Sequence, residues 1–318
     1  MNKEIRRRSH ASAGNRLMTV CWKVIRLIIL LGVAYYILYP LLVKLSLALM
    51  EKGDLYDTTV QLMPRHYTLD NFIKVFSYLD YPKAALGSLL IVLLTSVTQL
   101  FSCVLTGYGF ARFEFRGKKL MFALVMLVLI VPPQTIVIPM FLNYRFFDPL
   151  KLFSLILGAP VSLINTPWSM VLTGMTCMGL KNGLYIYLAR QFFRNMPKEL
   201  EEAALIDGAG FAGTFFRVML PSARPILTVI FLFSSVWQWT DIFYTSWFVP
   251  KLNTLSMQLN SLAYTVMDKE NISQSLDQYY ANQISATGCL LAILPLIVLY
   301  VLMQRQFIEG IERSGIVG

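Results

Sequence analysis

Long uncharged apolar runs, separated by short polar stretches, organise this chain from end to end. Spanning the hydrocarbon of a bilayer takes about 20 mostly apolar residues, and the runs have that scale. Leu27 to Val43 and Ala84 to Ala111 hold no charged side chain and predict the first two spanning helices. Leu120 to Tyr144 predicts a third, kinked or broken by Pro132, Pro133 and Pro139. Ile226 to Val249 and Gln283 to Met303 supply the last two. Between them, Leu152 to Ala189 is mostly apolar but is cut by Pro160, Pro167, Gly174, Gly179 and Lys181-Asn182-Gly183. That pattern predicts an interfacial or re-entrant stretch, then a fourth span from roughly Ser169 to Phe193. The expected fold is an all-α membrane protein with six transmembrane helices. Two longer polar stretches remain, Glu51 to Lys83 and Pro250 to Asn282. The first has helix-start chemistry at Thr68-Leu69-Asp70, ahead of Phe72, Val75 and Phe76 at helical spacing. Each could fold as a small cap or meet an external partner.

Composition supports the membrane reading. Of 318 residues, 56% are apolar and only 14% are charged, against about 25% charged in soluble domains. The net charge of +10 could suggest nucleic acid, but its distribution along the chain assigns it to membrane topology. With both termini inside, the cytoplasmic pieces are residues 1–26, 112–119, 190–224 and the C-terminal tail. These carry all of the surplus Lys and Arg, while the rest of the chain balances its charges. Such a bias places the termini and these loops on the cytoplasmic side. The domains follow as a basic tail over 1–26, a transmembrane domain over 27–303 with its core over 84–303, and a C-terminal tail over 304–318. The basic N-terminus and its long apolar run, with no small-residue cleavage site, read as a retained signal-anchor. Cys21, Cys103, Cys177 and Cys289 form no CxxC pair, which argues against structural disulfides and a zinc site. His10 and His66 lie in polar segments and read as solvated loop residues. There is no HExxH, no GxSxG and no phosphate-binding GxxxxGK[ST].

The segment over 194–225 is unlike an ordinary connector. Asn195 can cap a helix, Pro197 suits a first turn, and Glu199, Glu201 and Glu202 favour the positive end of a helix dipole. Gly208 stands where a left-handed C-terminal residue is wanted. A second short helix then places Phe211, Phe215 and Val218 on one face, and Pro221 and Pro225 stop it. The small pair Ala203-Ala204 lets another surface approach the backbone. The alternative is an amphipathic segment lying on the bilayer, which the acidic residues and fixed Gly and Pro positions fit poorly.

Glu202-Ala203-Ala204, then Gly208, then Val218-Met219-Leu220-Pro221 resembles the EAA signature of binding-protein-dependent ABC importer permeases, with Val218 where the family usually has Ile. Within that superfamily the chain is similar to the smaller subunit of the maltose-type carbohydrate permeases, type I importers. Thr106 to Phe113, Gly117-Lys118, Asn165-Thr166 and Arg190 to Phe193 support this. The likeness covers roughly Thr68 to Gly318, although Ser314 to Gly318 departs from the family's usual ending. It implies a multi-pass cytoplasmic-membrane protein that forms half of a sugar or oligosaccharide pathway. The implied partners are a second permease subunit, two cytoplasmic ATPase subunits and an external sugar-binding protein, with no nucleic acid. Glu202, Ala203, Ala204, Asp207, Gly208, Leu220 and Pro221 would couple to the ATPase. The chain would be no enzyme and hold no cofactor or metal; ATP and magnesium would sit on the partner. The alternatives are an importer for another solute, such as a polyamine or phosphonate, and a membrane-embedded enzyme.

A second candidate set concerns the pathway. Counting back from Arg190 at the cytoplasmic interface, Lys181 lies roughly 13–14 Å deeper, near the middle of the hydrocarbon. A charge there faces water or a counter-ion, and Asp241 or an acid of the partner subunit could supply one. Lys181 and Asn182, with Trp237, Trp239 and Asp241, are the candidate substrate contacts. Trp237, Trp239, Phe243, Tyr244 and Trp247 offer aromatic faces for sugar rings, although Trp and Tyr near membrane ends are usually interfacial anchors, the reading preferred for the outermost of them.

Overall fold

The computed structural model describes residues 2–60, 62–272 and 277–315, with side chains over 18–60, 62–272 and 277–308; the last three residues of the C-terminal tail lie outside them. Helices dominate the described residues, joined by two isolated antiparallel bridges, Met50–Tyr67 and Phe147–Val161. The chain divides into two compact units, residues 1–75 with 267–290, and residues 76–266 with 291–318.

In the first unit, α1 (Asn2–Leu49) runs without interruption through residue 26, so the basic tail and the first span are one helix. Its Met18–Leu49 portion is exposed almost all round. A helix apolar on every face needs lipid or a partner around it. The final turn leaves carbonyls without intrahelical donors, and two buried amides supply them. Asn71 Nδ2 donates to Ala48 O (3.0 Å) and Met50 O (2.9 Å), and Gln283 Nε2 donates to Leu47 O (3.0 Å) and Met50 O (2.6 Å). The helix signal at Thr68 holds: α2 (Asp70–Tyr78) starts with Asp70 N donating to Thr68 Oγ1 at 3.1 Å. His66 is more than a solvated loop residue, because its Nδ1 lies 2.9 Å from the Asp54 carboxylate.

The second unit is built around α3 (Tyr81–Arg112), which packs on α7 (Pro167–Met175), α8 (Asn182–Asn195) and α12 (Arg224–Trp239). Although α3 is uncharged between its ends, Ser88, Thr95, Ser96, Gln99 and Ser102 are buried in it. Lipid tails offer no hydrogen bonds, so such groups turn inward and join helices. Ser102 Oγ donates to Gly174 O (2.7 Å), Ser235 Oγ to Ser96 Oγ (3.4 Å), and Ser234 Oγ to Gln99 Oε1. Close approach is set by small residues. A Cβ on Gly107 would lie 2.5 Å from Ala189 Cβ and 2.9 Å from Arg190 N.

Three described helices are long and apolar enough to cross a membrane, Met18–Leu49, Tyr81–Arg112 and Gln278–Ile308. The last belongs to α15 (Gln278–Gly315), which continues past the expected end at Met303. The third expected span is a pair, α4 (Lys118–Ile130) and α5 (Pro133–Arg145), bent by 104°. Val131 is extended, as a residue before proline prefers. The fourth expected span is likewise two helices, α7 and α8, parted by a turn in which Cys177 and Lys181 have positive φ. The fifth ends early, at Trp239. Asp241 draws the next backbone N–H groups to its carboxylate and starts the separate α13 (Phe243–Phe248). The outer stretch beyond it forms α14 (Leu255–Lys269), and the interfacial stretch contains α6 (Leu152–Leu157).

Candidate functional site

The segment leaving α8 folds as two short helices on a common base. α8 runs through Asn195, so that residue closes a helix and does not cap the next. Pro197 and Lys198 lead into α9 (Glu199–Ile206), whose start has no side-chain cap. Its three glutamates in the first turn complement the exposed N–H groups. The expected glycine stop is present, with Gly208 at φ +82°. Gly208 N donates to Leu205 O (3.1 Å) and Ala209 N to Ala204 O (2.9 Å), a Schellman closure that leaves the chain one tight exit. No heavy atom comes within 4 Å of a Cβ built on Gly208. The backbone conformation alone therefore asks for glycine there.

After the turn, α10 (Phe211–Thr214), a π-helical stretch (Phe215–Met219) and α11 (Leu220–Ser222) make one continuous rod. Pro221 does not stop it, contrary to the sequence reading. A proline lacks an N–H and crowds the carbonyl one turn back, and a π-bulge beside it relieves both demands. The stop comes at Ala223, where the rod meets α12 at 77°.

The base of this pair is largely buried and tied. Arg112, at the end of α3, lies 3.2 Å from Glu201 Oε1 through Nε, and its Nη2 donates to Met196 O at 2.9 Å. The two side chains are only 6% and 17% exposed, so the pair is shielded from screening. Beneath it, the Tyr108 ring packs against Phe193 (5.2 Å between centroids) and Phe215 (4.8 Å). Ala204, Phe215 and Met219 are buried, while Glu202, Ala203, Asp207 and Gly208 are exposed. Leu220 is half-buried and Pro221 exposed. The expected single face of Phe211, Phe215 and Val218 is split: Phe215 turns inward and Phe211 outward. Ile206 at 85% exposure, Phe211 at 71% and Phe216 at 50% form the outward apolar edge. The element thus hides its polar anchor and shows apolar tips, the kind of exposed apolar surface that marks interaction sites.

The Arg112–Glu201 pair was missed from the sequence. Its signal was present: an arginine closing a long apolar helix, and a glutamate in the first turn of the loop helix.

The pathway candidates separate in space. Lys181 is exposed, and its Nζ sits 4.8 Å from the centroid of the Trp237 ring, a cation–π contact. Among the described residues no ion pair joins it to Asp241, whose carboxylate accepts Tyr244 N (3.2 Å), Thr245 N (2.8 Å) and Thr245 Oγ1 (2.9 Å). Trp239 is buried and donates Nε1–H to Ala292 O at 3.0 Å. Asn182 is 1% exposed, and both polar atoms of its side chain lack a partner. A cavity of about 280 Å³ is lined by Lys181, Asn182, Tyr244, Pro133 and their neighbours.

Residues 103–313 match the family described as binding-protein-dependent transport system inner membrane component. The galactooligosaccharides transport system permease protein GanQ of Bacillus subtilis (strain 168) is 26% identical over 92% of this chain and 94% of its own. The melibiose/raffinose/stachyose import permease protein MelC of the same organism is 28% identical over 93% and 98%. A crystal structure of a bacterial ABC transporter involved in the import of the acidic polysaccharide alginate contains a similar chain, at TM-score 0.67 and 20% identity, covering 90% of this chain and 96% of that one. The helix pair, its glycine-closed turn and the match over two thirds of the sequence lead to one conclusion: this chain belongs to the family of inner-membrane components of binding-protein-dependent transport systems.

Proposed function

We infer that this chain is a permease subunit of an ATP-binding-cassette importer for sugars or oligosaccharides. The observation that carries the mechanism is the helix pair over 199–222, fixed at its base by Arg112–Glu201 and exposed at Ile206 and Phe211. The names of the similar permeases support a saccharide cargo. In this reading α7 and α8 together form the fourth of six crossings, both termini are cytoplasmic, and a second permease subunit completes the pathway. The segment over 194–225 docks on a separate ATPase through Glu202, Ala203, Ala204, Asp207, Gly208, Leu220 and Pro221. Nucleotide-driven closure of the ATPase pair then moves the loop as a rigid body and switches the pathway's access.

Lys181, Asn182 and Trp237 are the pathway-facing candidates, through hydroxyl hydrogen bonds and ring stacking. Trp239 and Asp241 act behind them, holding α12 and α13 in place. The test is ATP-dependent uptake of labelled raffinose or a galactooligosaccharide by proteoliposomes carrying the purified complex and its binding protein. Uptake that needs ATP and the binding protein is expected. A chain that purifies with no ATPase would contradict the reading.

A further inference from the structure

At the end of α8 nearer the helix pair, the second unit holds a cavity of about 650 Å³ that coupling does not use. Its lining carries four cationic side chains, Lys118, Lys119, Arg190 and Arg194, against one carboxylate, Glu114. That carboxylate is already engaged, since Lys118 Nζ donates to it at 2.7 Å and holds its pKa below the usual carboxylate range. Arg190 stacks its guanidinium on Phe122, 4.0 Å from the ring centroid, and its buried Nε has no acceptor. The cavity therefore has surplus donors and surplus positive charge, with aromatic rings as walls. Gly117, at φ +83°, turns the chain so that α4 begins at the cavity's rim, which brings Lys118 and Lys119 into its lining.

We propose that this cavity binds a phosphate-bearing anion through Arg190, Arg194 and Lys119. Three features choose phosphate over a solitary carboxylate. Several donors converge from different elements, guanidinium groups match tetrahedral oxyanions in a bidentate way, and Arg190 is pre-oriented by its ring stack. The site follows the uncharged part of α3 by only a few residues, at the depth where phospholipid headgroups lie. A basic pocket between spanning helices at that level is suited to an anionic lipid. Free phosphate carries the same chemistry, and the two sources separate by experiment.

The test uses the purified transporter complex in nanodiscs of phosphatidylcholine with and without phosphatidylglycerol, and in detergent with inorganic phosphate. Retained lipid is read by native mass spectrometry after delipidation, and phosphate by ³¹P line broadening. Arg194→Gln with Lys119→Gln removes two charges from exposed positions and leaves the Lys118–Glu114 pair and the Arg190 stack. Wild type should keep phosphatidylglycerol selectively, and the double variant should lose that preference by on the order of thirty-fold. Arg190→Lys, which keeps charge but loses the planar fork, should bind with intermediate strength. Selective lipid retention identifies the headgroup as the source, and phosphate broadening without lipid selectivity identifies the free ion. If wild type and double variant retain lipid alike and phosphate broadens in neither, the proposal fails.

Discussion

The two ends of α8 are built from opposite materials. Its C-terminal end leads into the helix pair through aromatic packing and a shielded ion pair, Tyr108 against Phe193 and Phe215 with Arg112 on Glu201. Its N-terminal end begins at a residue with positive φ, Lys181, followed by a buried Asn182 whose side-chain amide has no partner. A non-glycine residue in the left-handed region and an unpaired buried amide each cost on the order of 1–3 kcal/mol. Proteins keep such costs where a site must rearrange or meet a ligand. The helix between them has 14 residues, about 20 Å in length. One helix thus joins the loop proposed to dock on the ATPase to the break proposed to face the pathway.

The strongest way to break this comparison is at the α3–α8 seam. Gly107→Leu places a side chain where Ala189 and the Arg190 backbone already stand, and no flexible atom can yield. Overpacking of this kind costs about 1–3 kcal/mol in ordinary cores and more against backbone. Loss of the assembled complex on size-exclusion chromatography is expected. A normally assembled, active Gly107→Leu complex would show that the seam is not the rigid support.

Breaking the buried ion pair comes next. Arg112→Met leaves the largely buried Glu201 carboxylate uncompensated, at about 1–3 kcal/mol. Loosening of the loop, with ATP hydrolysis continuing while uptake falls by an order of magnitude or more, is the expected signature. Hydrolysis and uptake falling in strict proportion would place Arg112 outside coupling.

Gly208→Val tests a single dihedral. With open space around the position, the cost is that of the left-handed conformation, roughly 1–2 kcal/mol. Uptake should fall about ten-fold, and Gly208→Asn, which tolerates that conformation better, should recover most of it. Equal losses in Asn and Val variants would mean that the turn is not what matters.

The smallest effect belongs to the other end of the helix. Lys181→Met removes an exposed cation–π contact worth about 0.5–1 kcal/mol. Assembly and basal ATPase activity should persist while transport of the sugar declines several-fold. Failure to assemble would make Lys181 a structural residue and remove it from the pathway.

This contrast also explains what could be read from the sequence. Apolar runs fixed the helical membrane fold because burial in lipid demands length and the absence of charge, as in Ala84–Ala111. The glycine stop at 208 was legible because a left-handed residue after an acidic-start helix has few other uses. The breaks were harder. Asp241 looked like a counter-ion for Lys181, yet local N–H groups outbid the distant ammonium. Pro221 looked like a terminator because a π-bulge leaves no sequence mark. Gln99, Ser102 and Ser234 disappeared into apolar runs, since hydropathy averages over the polar side chains that join helices. The Arg112–Glu201 pair spans 89 positions, so each partner carries a local sign but only the tertiary fold matches one to the other.

The most direct test of the account is crosslinking from the outward edge of the helix pair. With the native cysteines replaced and Ile206→Cys or Phe211→Cys introduced, the purified complex is treated with a short bifunctional reagent in nucleotide-free and ATP-bound states. Strong adducts with the ATPase are expected from both positions in at least one state, and none from a cysteine at buried Met219. Absence of ATPase adducts from Ile206 and Phe211 in every nucleotide state would contradict it.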